Sequence, residues 1–300
     1  MPELPEVETI KSDLQKTICG QKITRVCIHN PKVIQEPAPD IFKRSLEGLS
    51  IKDIFRRGKL LILELSNGKF LTVHFKMTGQ LVLRQPLCES KNQLVVPHPS
   101  KTSSRVTFYF ASGMILDFND QRLFAELRLI DDWQKLEFIQ KLGPEPLDLA
   151  AADFKGLLLK RKNEIKPLLL DQSFVCGIGN IYASEILFRA KINPQRPAQS
   201  LVSAEQIALY KEIQKVLKSA IKHGGSSVDD YVRVSGKNGD YARFHQVYGR
   251  QGQPCFVCAS LIKRIAQGGR GTYFCPKCQS ELIKKACLPA GGKVLCEKTS

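Results

Sequence analysis

The chain has 300 residues, 43% hydrophobic and 25% charged, enough to bury two cores or one core with appendages. Its 45 Lys and Arg against 29 Asp and Glu leave a formal charge of +16, which points to a polyanionic partner, most often nucleic acid. No apolar run approaches a membrane span and the start lacks the basic-then-apolar pattern of an export signal, so the cytosol or nucleoid is the expected location.

The chain opens Met1-Pro2-Glu3-Leu4-Pro5-Glu6-Val7-Glu8, followed by Ile10, Leu14 and Ile18 at helical spacing with Val7. Glutamates and a proline in the first turn suit the positive end of a helix dipole, which accounts for Pro5, Glu6 and Glu8. Pro2 needs another reason. Removal of Met1 would expose a secondary amine, and an α-amine with a pKa of roughly 7.7–8.0 is about one-tenth neutral at pH 7, far more than a lysine. Glu3, beside that ammonium and at a helix start, is expected to ionise easily.

Short strands follow at residues 22–30, 51–55, 59–65, 69–75, 81–83, 105–110, 114–118 and 127–130, with hairpin signals at Asn67-Gly68 and Ser112-Gly113. They predict a sandwich or flattened barrel closed by the first helix. Arg56-Arg57-Gly58-Lys59 opens an apolar strand. Such arginines are ordinarily just solvated, but Lys59 runs straight into Leu60-Leu61-Ile62, where partial burial would lower its pKa and suit it to proton transfer. Residues 88–104 read as a surface loop. Gly143-Pro144-Glu145-Pro146-Leu147 marks a boundary. Beyond it residues 162–171, 181–191 and 203–223 read as helices, the last with Ser203 and Gln206 as a capping box.

Between two of these helices lies Gly177-Ile178-Gly179-Asn180-Ile181-Tyr182. Taken alone this is a plain helix–helix connection; beside Lys160, Arg161, Lys162 and Lys166, its backbone amides and the following helix start could receive a DNA phosphate. Cys255, Cys258, Cys275 and Cys278 form two C-x-x-C pairs sixteen residues apart, flanked by Tyr248-Gly249-Arg250 and Gly268-Gly269-Arg270-Gly271. That spacing predicts a β-hairpin finger around one structural Zn²⁺, whose closed four-thiolate site leaves the chemistry to other residues. The tail after Cys278, with Cys287 and Cys296, has no evident fold.

Pro2-Glu3-Leu4-Pro5-Glu6-Val7-Glu8, Arg57-Gly58-Lys59, His74-Phe75-Lys76-Met77-Thr78-Gly79, Leu142-Gly143-Pro144-Glu145-Pro146-Leu147, Gly179-Asn180-Ile181-Tyr182-Ala183-Ser184-Glu185 and the cysteine finger occur in the order found in the formamidopyrimidine-DNA glycosylases, bacterial enzymes of 8-oxoguanine repair, and the chain resembles that family over residues 2–279. The resemblance implies an α+β fold: an N-terminal helix and β-sandwich over residues 1–142, a linker at 143–148, a helical domain with a helix–two-turn–helix motif at 149–246 and a zinc finger at 247–281; the tail at 282–300 lies beyond the family's usual end and reads as disordered. It implies a monomer acting on damaged double-stranded DNA, with Pro2 as the nucleophile at C1′, Glu3 as general acid, Glu6 supporting the pocket, Lys59 assisting β-elimination and Arg270 gripping phosphates and assisting δ-elimination. A target base must be flipped out of the duplex. Met77, Arg122 and Phe124 would fill the gap, Arg122 facing the orphaned cytosine. His74, Lys162, Lys166, Asn180 and Tyr248 would contact DNA, and residues 226–241 would close over the flipped base.

Two departures from the family pattern bear on lesion preference, and two other readings are weighed against the sequence. Where the family has Asp-Pro-Arg-Arg-Phe-Gly, this chain has Asp120-Gln121-Arg122-Leu123-Phe124-Ala125. A histidine expected near Ser103 is missing, with His98 as the nearest substitute. The sister class, endonuclease VIII, prefers oxidised pyrimidines and starts Pro-Glu-Gly-Pro-Glu, against which Leu4 speaks. A DNA-binding protein without chemistry would need none of Pro2, Glu3 and Lys59.

Overall fold

The computed structural model describes residues 1–84, 104–159 and 161–280; the expected loop at 88–103, His98, Ser103, Lys160 and the tail with Cys287 and Cys296 lie outside them. Helix α1 (Leu4–Ile18) buries Val7, Ile10, Leu14 and Ile18, as their spacing predicts. It is followed by β1 (Ile23–Ile28), β2 (Ile34–Glu36), α2 (Pro39–Leu46), β3 (Ile51–Arg57), β4 (Leu60–Leu65), β5 (Phe70–His74), β6 (Gln80–Arg84), β7 (Ser104–Phe110), β8 (Ile115–Asn119) and β9 (Glu126–Ile130). The strands form two sheets, ordered β1-β7-β8-β6 and β2-β9-β5-β4-β3, antiparallel except for the β2–β9 pair. Their inner faces share one core with α1, including Val26, Ile54, Leu63, Val73, Phe108 and Phe118. Both predicted hairpins form, with Gly68 at φ +82° and Gly113 at φ +81°, where a side chain would be strained.

Helix α2 and strand β2 are absent from the sequence expectation. Pro31, Pro37 and Pro39 interrupt any pattern there, yet Pro39 sits in the first turn of α2, where its missing N–H costs nothing, and Phe42 and Leu46 supply the buried face.

The second half is helical: α3 (Glu137–Gln140), α4 (Ala151–Leu158), α5 (Ile165–Leu170), α6 (Asn180–Arg189) and α7 (Ser203–Lys222), then the hairpin β10 (Lys263–Gln267) and β11 (Arg270–Phe274). Among the described residues no helix is long and apolar enough to cross a membrane. The cap of α7 lies one residue earlier than Ser203 and Gln206 suggested. Val202 donates its N–H to Glu205 at 3.0 Å, while Gln206 is buried and donates to the Leu201 carbonyl at 2.8 Å.

The two halves exchange residues. Leu4 is buried in the helical core beside Ile178 and Tyr182, and Tyr231 and Val234, which follow α7, are buried in the sandwich core. A second tie corrects the reading of Arg56 and Arg57 as merely solvated. Glu145, in the proline-rich boundary, accepts Arg56 at 2.8 Å, Arg57 at 3.1 Å and the Gly58 N–H at 2.7 Å. Arg56 also bonds Glu8 at 2.9 Å, and Arg57 donates to the Gly143 carbonyl at 2.7 Å. The β3–β4 turn carrying Lys59 is thereby fixed to the boundary and to α1. Removing the shared carboxylate leaves two guanidinium groups short of a partner, so Glu145→Ala should cost about 3 kcal/mol of unfolding free energy, measured by urea titration.

Candidate active site

Glu3 is the last residue before α1, and its backbone N–H donates to the Glu6 carboxylate at 2.8 Å, half of a capping box. Its own carboxylate is buried against the start of α6, accepting N–H groups from Gly179 at 2.8 Å, Ile181 at 2.9 Å and Tyr182 at 3.4 Å. The amides expected to hold a DNA phosphate therefore hold the chain's own acid. Gly179 is required here, because a Cβ on it would lie 2.3 Å from the Glu3 carboxyl carbon. The expectation that Glu3 ionises easily is also corrected. Burial raises its pKa, outweighing the Lys59 charge and the three amides that oppose the shift.

Glu6, equally buried, accepts Tyr182 Oη–H at 2.5 Å and the Ser226 N–H at 2.8 Å. Burial, then repulsion from Glu3, raises its pKa to about 7. Ser226 Oγ continues the network to His245 Nε2 at 2.9 Å. None of Tyr182, Ser226 and His245 was singled out from the sequence; Tyr182 carried a signal as part of the Gly179–Glu185 motif and Ser226 as the start of the 226–241 stretch, His245 none.

Lys59, in the β3–β4 turn, is half-buried, and burial lowers its pKa; the Arg270 charge lowers it further, while Glu3 and Glu6 pull it up. This matches the direction expected of a lysine leading into an apolar strand. Arg270 is exposed at the start of β11, after the turn made by Gly268 and Gly269. That hairpin is held from below. Gln267, at the end of β10, donates to Glu164 at 2.7 Å and to the Pro194 carbonyl at 2.9 Å.

Lys166, expected at the DNA phosphates, is instead fully buried. Its Nζ donates to Asn180 at 2.6 Å, Thr272 at 2.8 Å and the Gly271 carbonyl at 3.2 Å, joining α6 to the finger immediately behind Arg270. Burial brings its pKa down to about 8. Asn180 also donates to the Gly271 carbonyl at 3.0 Å. Glu185, unnoticed in the sequence as a separate feature, is buried on α6 and accepts the N–H groups of Gln246, Val247 and Tyr248 at 2.8, 3.0 and 2.9 Å, fixing the entry to the finger.

The four finger cysteines place their sulfurs within 4.8 Å of one another, Cys255 and Cys278 at 3.9 Å and Cys258 and Cys275 at 3.4 Å. A Zn²⁺ with bonds of roughly 2.3 Å asks for sulfur separations of about 3.8 Å, so the donor set fits one structural zinc. Phe188 of α6, Val247 and Ile262 pack against these cysteines, seating the finger on the helical domain.

The remaining expected site residues lie on turns, strand ends and connecting segments. Arg122 and Phe124 lie on the turn between β8 and β9, the guanidinium 4.9 Å from the exposed ring's centroid. Met77 is half-buried between β5 and β6, Tyr248 is half-buried before the finger, and Lys162 is exposed. His74 accepts the Lys76 N–H on Nδ1 at 3.1 Å and packs edge-on against Phe138. Burial pushes its pKa down to about 4, so it is neutral at pH 7 and keeps its proton on Nε2. Residues 226–241 fold back on the sandwich, where Arg233 pairs with Asp13 at 2.8 Å and the Val234 carbonyl accepts the Leu83 N–H at 2.8 Å.

Residues 1–127 match the formamidopyrimidine-DNA glycosylase N-terminal domain, residues 142–232 the H2TH domain of the same enzymes, and residues 252–280 the zinc finger found in FPG and IleRS. A formamidopyrimidine-DNA glycosylase of Pelotomaculum thermopropionicum is 42% identical over 283 residues, covering 93% of this chain and 99% of its own. The Lactococcus lactis Fpg solved with DNA containing an abasic site is 36% identical with a TM-score of 0.82, over 93% of this chain and all of that one. The Lactococcus lactis protein solved with Fapy-dG DNA overlays with the same identity and coverage and a TM-score of 0.80. With its three segments matched in order and relatives of this identity aligned along almost its whole length, the chain belongs to the formamidopyrimidine-DNA glycosylase family.

Proposed function

We propose that this protein is a base-excision repair glycosylase and abasic-site lyase that removes oxidised purines from duplex DNA, working as a monomer in the cytosol or nucleoid. The observation that carries the mechanism is the buried Glu3 carboxyl, next to Pro2 in the chain, with its pKa raised and electrostatically coupled to a Lys59 whose pKa is lowered. An acid able to keep a proton and a lysine able to lose one are what amine-mediated excision and elimination require.

While Met1 is attached, the Pro2 nitrogen is an amide and has no nucleophilic lone pair. Trimming yields a secondary amine, which adds to C1′ of the flipped nucleotide as the glycosidic bond breaks and the base leaves with the bonding pair. The Glu3 acid supplies a proton as the sugar ring opens, leaving an iminium. Loss of a C2′ proton then expels the 3′ phosphate, a step assigned to Lys59; Arg270 holds the phosphates and assists expulsion of the 5′ phosphate. Cys255, Cys258, Cys275 and Cys278 would hold a zinc that fixes the finger, and Lys166 and Gln267 aim its tip. The relatives solved with abasic-site and Fapy-dG DNA support this substrate class. Met77, Arg122 and Phe124 are assigned to the vacated stack, and His74, Lys162, Asn180 and Tyr248 to the DNA backbone.

Borohydride should trap the trimmed protein on a duplex with 8-oxoguanine opposite cytosine, and Pro2→Gly should reduce trapping by roughly two orders of magnitude. Faster trapping on thymine glycol would reassign the lesion class, and intact mass reports whether Met1 is gone. Neutral His74 releases no counterion, so His74→Ala should leave the slope of log affinity against log salt unchanged, whereas Lys162→Ala should reduce it by about 0.9. Glu6 is protonated in the folded state and ionised in the unfolded state between its ordinary carboxylate pKa and about 7. Unfolding free energy should therefore fall as pH rises through that window, by about 3 kcal/mol, and Glu6→Gln should remove this portion of the slope in urea titrations at pH 5 and 7.5.

A further inference from the structure

Asp120 follows β8 and is fully buried, although it belongs to neither the zinc site nor the Glu3 centre. Its Oδ1 accepts the Thr78 hydroxyl and the Arg122 N–H, the latter at 3.2 Å, and its Oδ2 accepts the Ala125 N–H at 2.8 Å. Thr78 Oγ1 shares the Arg122 N–H, also at 3.2 Å. The Asp120 carbonyl accepts Arg105 Nε–H at 2.6 Å. One carboxylate thus closes the turn that carries Arg122 and Phe124 and ties it to the turn that carries Met77.

Each turn holds a non-glycine residue in the left-handed region, Lys76 at φ +47° and Leu123 at φ +58°. Such conformations persist only where surrounding bonds over-determine them. The turns also touch: a Cβ on Gly79 would lie 2.6 Å from the Phe75 carbonyl and 3.1 Å from the Ala125 methyl. Because the turn-closing bonds use the backbone of Arg122 and Ala125, the departures at Gln121, Leu123 and Ala125 leave them intact.

We propose that Asp120 and Thr78 form a positioning brace that locks Met77, Arg122 and Phe124 into one rigid wedge before DNA arrives, and that this brace sets the discrimination between cytosine and adenine opposite the lesion. Side chains that enter the stack from independently mobile turns would be ordered at the expense of binding energy, and a loosely held guanidinium would distinguish the opposite bases poorly. The inference rests on the glycosylase reading above.

Thr78→Val removes the hydroxyl at nearly constant shape, and Thr78→Ser keeps it. Excision of 8-oxoguanine is measured opposite cytosine and opposite adenine, with borohydride trapping on a single-stranded abasic site, which has no opposite base, as the reference. Thr78→Val should lower kcat/KM on the cytosine duplex roughly tenfold and shrink the cytosine-to-adenine ratio by about threefold or more, with single-strand trapping held within about twofold. Thr78→Ser should restore the ratio, and Asp120→Asn, with its zinc content and thermal midpoint checked, should reproduce the loss. An unchanged ratio in Thr78→Val, or an equal fall on duplex and single strand, overturns the brace. Trimmed wild-type protein that traps on neither substrate overturns the glycosylase reading itself.

Discussion

A carboxylate withdrawn from water needs donors, and Glu3 finds three in the backbone at the start of α6. This contact joins the first residues of the chain to a helix almost two hundred positions later, and the site is arranged around it. It places Pro2 at the junction of the two halves, brings Lys59 within electrostatic reach, and sets Asn180, the first residue of α6, against the finger. The same burial that costs solvation raises the acid's pKa. Stability is given up locally to keep a proton where the reaction uses one.

Several ties maintain this arrangement against the tendency of two halves to move independently. Leu4 enters the helical core while Tyr231 and Val234 enter the sandwich core, so neither core is complete without the other half. Glu145 gathers Arg56, Arg57 and the Gly58 amide, holding the Lys59 turn to the boundary segment. Lys166 and Glu185 perform the equivalent task for the finger, one behind Arg270 and one at the finger's entry. In Glu145, Lys166 and Glu185 a charge that looks like surface decoration in the sequence is largely buried and satisfied by groups from distant segments.

The two ends of the site have different physical characters. Around Glu3 and Glu6 the groups are buried and their protonation is shifted, which suits proton transfer. Around Met77, Arg122 and Phe124 the side chains are partly or fully exposed, while Asp120 holds the Arg122 and Ala125 amides of one turn and the Thr78 hydroxyl of the other. The second arrangement suits insertion into a stack, because the tips must leave water while their supports stay still.

Hydrophobic spacing in the sequence was enough to define α1, the hairpins at Gly68 and Gly113 and helix α7, since these depend on local period and on turns that favour glycine. The paired cysteines likewise defined the zinc site, because two knuckles of this spacing satisfy a tetrahedral ion without reference to the rest of the fold. Motif order supported the family and nominated Pro2, Glu3, Lys59 and Arg270. What the sequence could not decide was the environment of each charge. Lys166 is buried rather than at the surface, Arg56 and Arg57 are clamps rather than solvated groups, and the Gly179–Tyr182 amides hold Glu3 rather than a phosphate. Only the tertiary structure could settle these, because desolvation and charge pairing depend on which distant segments meet, and those meetings leave no periodic trace in the chain.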